Sequence, residues 1–144
     1  MLYVESSAAL AWLLGEPTGE TVRKLLAAAA AVGSSDLTLV ECDRTLVRAL
    51  ATGRVREAEA IRVGVALVHA ASRWHVLALS GGQLARARRP FPAEPIRTLD
   101  ALHLAAALQF ERDAGPVTVL SLDDRVRTNG RLLGLRVAPE DGAA

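Results

Sequence analysis

The chain reads as an α/β protein, a three-layer α/β/α arrangement with a short central parallel sheet. Three observations predict this. Short apolar runs of strand length, at Met1–Glu5, Val32–Ser35, His75–Leu79, Val117–Leu120 and Leu135–Val137, alternate with segments of helical period. Such alternation favours crossover connections, and hence parallel strands with helices on both faces. Finally, 144 residues, 51% of them apolar, suffice for one well-covered core, and no linker or internal repeat interrupts them.

The elements follow in order. Met1–Glu5 is a strand that runs into Ser6 and Ser7, both good helix N-caps. A helix over Ala8–Leu14 is stopped by Gly15 and Pro17. Thr18 or Gly19 opens a second helix through Ala31, with Val22, Leu25, Leu26 and Ala29 on one face. After Val32–Ser35, Ser35 or Asp36 caps a helix over Leu37–Ala51, ended by Gly53. Arg54–Ala71 is a further amphipathic helix with Val55, Ala58, Ile61, Val65 and Val68 as its apolar stripe. The strand His75–Leu79 leads to a short helix near Gln83–Arg88 and an Arg/Pro-rich loop reaching Pro95. Thr98 caps a strongly apolar helix over Leu99–Arg112, terminated near Gly115 and Pro116. The strand Val117–Leu120, a helix over Arg125–Leu133 and the strand Leu135–Val137 complete a domain spanning residues 1–138. Residues 139–144, small and polar, are expected to form a flexible tail.

Composition narrows the function. A formal charge of +1 gives no general pull toward nucleic acid or membrane. Lys24 is the only lysine; the other basic residues are arginines, whose planar forks suit phosphate, though a GC-rich genome produces the same bias. Cys42 stands alone, so an intramolecular disulfide is impossible and a reducing interior is expected. The longest apolar run, Leu25–Val32, is far short of a membrane span. With no basic leader at MLYVESSAAL, the expectation is a cytoplasmic protein with no membrane partner.

Four carboxylates stand where apolar runs turn polar: Glu5 in MLYVE, Glu41 in LTLVE, Asp100 in IRTLD and Asp123 in VLSLD. A buried carboxylate costs free energy unless paired. If the four converge, a hard divalent cation with oxygen ligands is their natural partner. Two carboxylates ~5 Å apart repel by roughly 3 kcal/mol at an effective dielectric of ~20. Glu5 and Asp123 fall at the carboxyl ends of strands, where ligands bind in such sheets. Asp100 sits in the first turn of a helix, where the dipole favours an anion. Glu41 lies about one turn into its helix with no obvious salt partner. Singly, each has a plain alternative: a helix-surface acid at Glu41, a helix-terminal charge at Asp100, and turn formers at Asp123 and Asp124.

In order along the chain, MLYVESSAALAWLLGE, SSDLTLVECDRTLVRAL, TLDALHLAAAL and VLSLDDRVRTNGRLLGLRV carry a resemblance to the PIN-domain nucleases, and among them to the compact toxins of the VapC type. TLDALHLAAAL is the most specific stretch, and the resemblance spans Met1 to about Ala138. It implies an endoribonuclease in which Glu5, Glu41, Asp100 and Asp123 surround one or two Mg²⁺ or Mn²⁺ ions. Glu5 and Asp100 are then the principal metal ligands, Asp123 a further ligand, and Glu41 a water-orienting base or second-metal ligand. Ser121, two residues before the last acid, would orient that acid or a water. Ser6 and Asp124 are expected beside the ligands, with Asp124 as the cap of the last helix. Arg86, Arg88, Arg89, Arg97 and Arg125, together with Arg127, are candidates to hold RNA phosphates around the acidic centre. An antitoxin protein that blocks the site and a homodimer are the implied partners.

One position departs from the family pattern. The first acid there is usually Asp, and Glu5 moves the carboxylate by ~1.5 Å, one carbon–carbon bond. On sequence grounds Glu5→Asp should preserve or raise cleavage. The departure keeps a second reading open: a degenerate PIN domain that binds RNA or protein without catalysis. A phosphoryl switch of the receiver or haloacid-dehalogenase type is discarded, because it needs a lysine after a late strand. His103, among apolar neighbours, reads as a packing or hydrogen-bonded histidine rather than a general base; His69 and His75 suggest no metal spacing. Cys42 reads as a small core residue, and Trp12 and Trp74 as core or dimer anchors rather than base-stacking platforms.

Overall fold

The structure, a computed structural model, describes residues 1–140. Five strands and seven helices alternate: β1 Leu2–Val4, α1 Ser6–Leu14, α2 Gly19–Ala28, β2 Val32–Ser35, α3 Asp36–Ala51, α4 Glu57–Ala71, β3 His75–Leu77, α5 Gly81–Ala87, α6 Thr98–Ala114, β4 Thr118–Leu120, α7 Asp124–Leu132 and β5 Arg136–Ala138. The sheet is parallel throughout, in the order β3-β2-β1-β4-β5. The three-layer α/β/α architecture expected from the sequence is the one observed. Residues 141–144 of the expected tail lie outside the described residues.

Alternation along the strands divides the core into two. Leu2, Val4 and Leu120 face α1–α4, whose Ala8, Leu13, Val22, Cys42, Leu46, Val63 and Leu67 fill that side. Tyr3 and Val119 point the other way, against Leu104, Ala107 and Phe110 of α6 and Val126 of α7. Helix α6 comes close to β2: a Cβ on Gly33 would stand 2.8 Å from the Phe110 ring, so any other residue there would have to push that buried ring aside. Trp12 and Trp74 pack against the first core, and Cys42 is fully buried, its thiol pushed up to about 12 first by burial and then by the charge of Glu41.

Several expectations are corrected. In α4 the supposed stripe faces outward: Ile61, Val65 and Val68 are 61%, 65% and 70% exposed, while Val63 and Leu67 are buried. The helix is apolar on two sides, so periodicity could not say which side meets the core. Helix α1 begins at Ser6, capped by Glu5 rather than by Ser6 or Ser7. Asp123, not Asp124, caps α7. Arg97 precedes α6 at the N-cap, and Thr98 is already helical. Ser80 caps α5 in a capping box with Gln83. Helix α2 stops at Ala28, α4 starts at Glu57 and β3 ends at Leu77, each shorter than expected.

Candidate active site

The strand order reverses beside β1: β2 and β3 extend to one side, β4 and β5 to the other. In open α/β sheets the crevice at such a switch, outside the carboxyl ends of the strands, is where ligands bind. Glu5 follows β1 directly, and Ser121 and Asp123 follow β4. Local structure holds both acids there. Glu5 has extended backbone (φ −97°, ψ 161°) as the N-cap of α1, accepting a hydrogen bond from the Ser7 amide at 3.1 Å. Asp123 caps α7 through Oδ1, which accepts from the Arg125 and Val126 amides at 2.8 and 3.2 Å.

Serine hydroxyls surround Glu5. Ser6 donates to Oε1 at 2.6 Å, Ser121 donates to Oε2 at 2.8 Å, and the Ser7 hydroxyl makes a very short contact with the same Oε2. Ser7 Oγ in turn accepts from the Leu122 amide at 2.8 Å, and Ser121 Oγ from the Asp123 amide at 3.1 Å. A carboxylate offers about four lone-pair sites. Oε2 is therefore fully engaged, and Oε1 is the oxygen of Glu5 that can still take a ligand.

Glu41 reaches the same crevice from α3. Its Oε2 accepts from His103 Nε2 at 2.5 Å, and that nitrogen is 3.6 Å from Glu5 Oε1. Ligand-capable atoms of Glu5, Glu41 and His103 all lie within 4.8 Å of one another. Burial pushes the Glu41 carboxyl up, but the hydrogen bond from His103, with help from the Ser6 hydroxyl, holds it below its ordinary range.

Asp100, in the first turn of α6, is 8% exposed, and its Oδ2 is buried with no hydrogen-bond partner among the described residues. Its carboxyl is pushed upward, first by burial and then by the charge of Asp123; Glu5 adds to this, and Arg97 opposes it. The four acids thus divide. Glu5 and Glu41 form one tight group with His103, while Asp100 couples electrostatically to Asp123 and to Glu5 without belonging to that group.

The PIN domain profile matches residues 2–132. The chain belongs to the PIN-domain family. This PIN domain is 32% identical over 136 residues to "Ribonuclease VapC46" of Mycobacterium tuberculosis, covering 94% of this chain and 95% of that protein. Solved structures share its fold at low identity. The FitAcB complex of Neisseria gonorrhoeae has a TM-score of 0.69 at 17% identity, covering 96% of this PIN domain and 97% of that chain. VapC20 of Mycobacterium tuberculosis, titled a sarcin-ricin loop cleaving toxin, gives 0.65 at 19%, covering 90% and 95%. VapBC2 of Rickettsia felis, bound to a promoter DNA fragment, gives 0.65 at 14%, covering 96% and 98%.

The expected arginines differ in their surroundings. Arg88, Arg89, Arg97 and Arg125 are exposed. The Arg86 guanidinium stacks 3.9 Å from the centre of the Phe91 ring and reaches the carbonyls of Arg89 and Pro90. Arg127 is no surface cation: it is buried and donates to the Ser121 and Pro139 carbonyls at 2.9 and 2.8 Å, bracing the end of β4. Sequence reasoning passed over Arg44 and Arg48, which line a cleft of about 330 Å³ beside Glu41 with Leu37, Val40, Thr45 and Leu99. It also saw Ser7 only as a helix cap, although a hydroxyl two residues beyond Glu5 at a helix start is well placed to bond it. Among the described residues no helix is long and apolar enough to cross a membrane.

Proposed function

We propose that this chain is a metal-dependent endoribonuclease that hydrolyses RNA phosphodiester bonds, the toxin of a toxin–antitoxin pair. The observation that carries the reading is Asp100 Oδ2, a carboxylate oxygen buried without a hydrogen-bond partner among the described residues, beside the charges of Asp123 and Glu5. A buried oxygen of this kind is stabilised by a cation or a proton, and a hard divalent ion suits carboxylate oxygens. The chemistry of the four acids suits Mg²⁺ or Mn²⁺, with Asp100 and Glu5 Oε1 assigned as principal ligands, Asp123 as a further one, and Glu41 held by His103 at the margin; among the described residues the ligand atoms gathered within 4.8 Å of one another are those of Glu5, Glu41 and His103. When bound, such an ion lowers the pKa of a coordinated water and stabilises charge on a phosphodiester oxygen.

The chain's own residues contribute the rest. The serines fix Glu5 mainly through Oε2, leaving Oε1, which accepts from Ser6, as its less engaged oxygen, and Asp123 is held by the first amides of α7. Arg97 and Arg125, beside Asp100 and Asp123, offset the repulsion that an acidic centre exerts on RNA, and Arg44 and Arg48 extend that cover along α3. The relative named a ribonuclease and the neighbour titled a loop-cleaving toxin support RNA as substrate. The neighbours solved as FitAcB and VapBC2 complexes support an antitoxin partner. A second copy of the chain is the occupant we assign to the outward apolar face of α4, since Ile61, Val65 and Val68 leave it uncovered in the monomer.

One observation favours the non-catalytic alternative: Glu5 and Glu41 already have partners in the serines and His103, so two of the four acids do not need an ion. Incubating RNA with wild-type protein and with Asp100→Asn, each with and without Mn²⁺, separates the readings. The nuclease reading expects cleavage only by wild type with metal. Equal behaviour in all four reactions removes it.

A further inference from the structure

The site has a support in the core that ion chemistry alone does not call for. His103, 1% exposed on α6, donates from Nε2 to Glu41 on α3. Its other nitrogen, Nδ1, is 3.1 Å from the hydroxyl of Tyr3 on β1. Tyr3 Oη is in turn 3.2 Å from the hydroxyl of Ser35, at the end of β2. Four separate elements are joined by three consecutive hydrogen bonds, and Tyr3 and His103 are sealed from solvent.

We propose that His103 is a positioning residue for Glu41, its ring held in the Nε2–H tautomer by the Tyr3 hydroxyl. The inference rests on the nuclease reading and says what orients one of its carboxylates. A carboxylate can only accept, so Nε2 carries the proton that Glu41 receives. In the neutral ring Nδ1 is then the acceptor, and Tyr3 is its donor. The fully buried phenol keeps its proton at neutral pH, as any tyrosine does, and so can donate. The Ser35 hydroxyl donates to Tyr3 Oη and completes the chain.

Both ring nitrogens are occupied, so His103 is not free to act as a general base. Its task is to hold Glu41 Oε2, leaving Oε1 for an ion or a water. Glu41 needs this more than Glu5 does, because it extends from mid-helix with its side chain 24% exposed and would otherwise sample solvent. The same Nε2 faces Glu5 Oε1 at 3.6 Å, so one imidazole edge sets the spacing of both acids. Outer partners of this kind hold metal-binding side chains in orientation elsewhere.

The test uses full-length protein with ¹⁵N-labelled histidine; with three histidines in the chain, His103 is readily assigned. Wild type should show His103 protonated at Nε2 and bare at Nδ1. Tyr3→Phe, nearly isosteric, should mix the tautomers and weaken Mn²⁺ binding about tenfold, measured by electron paramagnetic resonance titration. His103→Leu, which fills similar volume without a donor, should weaken it at least as much. Circular dichroism confirms that each variant is folded, because a purely structural role would lower thermal stability and leave the Mn²⁺ affinity of the folded protein unchanged. A wild-type ring protonated at Nδ1, or either folded variant binding Mn²⁺ as wild type does, overturns the proposal. Wild type that binds no Mn²⁺ overturns it together with the metal reading. If the tautomer and ion affinities behave as stated but RNA is not cut, the positioning role stands and the nuclease reading fails.

Discussion

Ser121 Oγ lies 2.8 Å from Glu5 Oε2, so a hydroxyl and a carboxylate tie the carboxyl end of β4 to that of β1. These are the strands on either side of the point where the sheet order reverses. The contact joins a fold requirement to a site requirement, because the same serine also accepts the Asp123 amide. Ser121→Ala should destabilise the protein by about 1–3 kcal/mol in urea unfolding, the usual cost of leaving a buried charged acceptor short of a donor. An unchanged midpoint would show that Glu5 does not rely on this hydroxyl.

The contact also bears on an expectation from sequence. Family resemblance alone suggests that Asp at position 5 would serve as well as Glu or better. In the structure the Glu5 carboxylate bonds both Ser7, on its own helix, and Ser121, across the sheet, and a side chain one carbon shorter would draw it back from one of them. Glu5→Asp should keep the Ser7 amide cap, lose the Ser121 bond, and lower Mn²⁺ affinity and cleavage by about tenfold, as loss of supporting contacts does. Wild-type affinity in a purified Glu5→Asp protein would contradict that fit.

How far the sequence could be read depended on the range of each interaction. Element order and sheet type were legible because strand-length apolar runs and helical stripes are local patterns. The four acids were legible as candidates because each breaks such a run. The outward turn of Ile61, Val65 and Val68 was not, since α4 carries apolar residues on both faces and only packing against its neighbours selects one. Nor was the pairing of His103 with Glu41, which lie 62 residues apart and meet only once α3 and α6 have packed. The caps misled for a simpler reason: in Glu5-Ser6-Ser7 and in Asp123-Asp124 every side chain carries an oxygen that can cap, and the fold used the first.

Acidity offers a separate check on the ion-free protein. The Asp100 carboxyl is raised from its ordinary value of 3.8, so the folded state holds that proton more tightly than the unfolded chain does. Stability attributable to Asp100 is therefore lost as pH rises from that value through the raised one. Glu41 runs the other way: its carboxyl is lowered from 4.5, so it stabilises the fold above that value and ceases to do so as pH falls through the lowered one. In metal-free buffer, Asp100→Asn should lose less stability than wild type as pH rises through the Asp100 window. Parallel curves for the two proteins in chemical denaturation would remove the upward shift assigned to burial and to Asp123.

The α4 face gives a test of assembly. Val65 is 65% exposed, so Val65→Arg should change monomer stability by no more than about 0.5 kcal/mol. If a second copy covers this face, analytical ultracentrifugation should show a dimer for wild type and a monomer for the variant. A Val65→Arg protein that still sediments as a dimer would place the contact elsewhere.

Ligand linkage predicts that Mn²⁺ at 100 times its dissociation constant stabilises wild type by about 2.7 kcal/mol, and that chelation removes both this increment and RNA cleavage. Asp100→Asn, which replaces the unpartnered oxygen with an amide, should lower cleavage by more than the roughly 10–100-fold typical of losing an outer partner.

Calorimetric titration of Mn²⁺ into wild type and Asp100→Asn bears most directly on whether this carboxylate crevice is built for a divalent ion. Saturable binding to wild type, lost or greatly weakened in Asp100→Asn, is the predicted result. No binding to wild type, or equal affinity in the two proteins, would contradict the account.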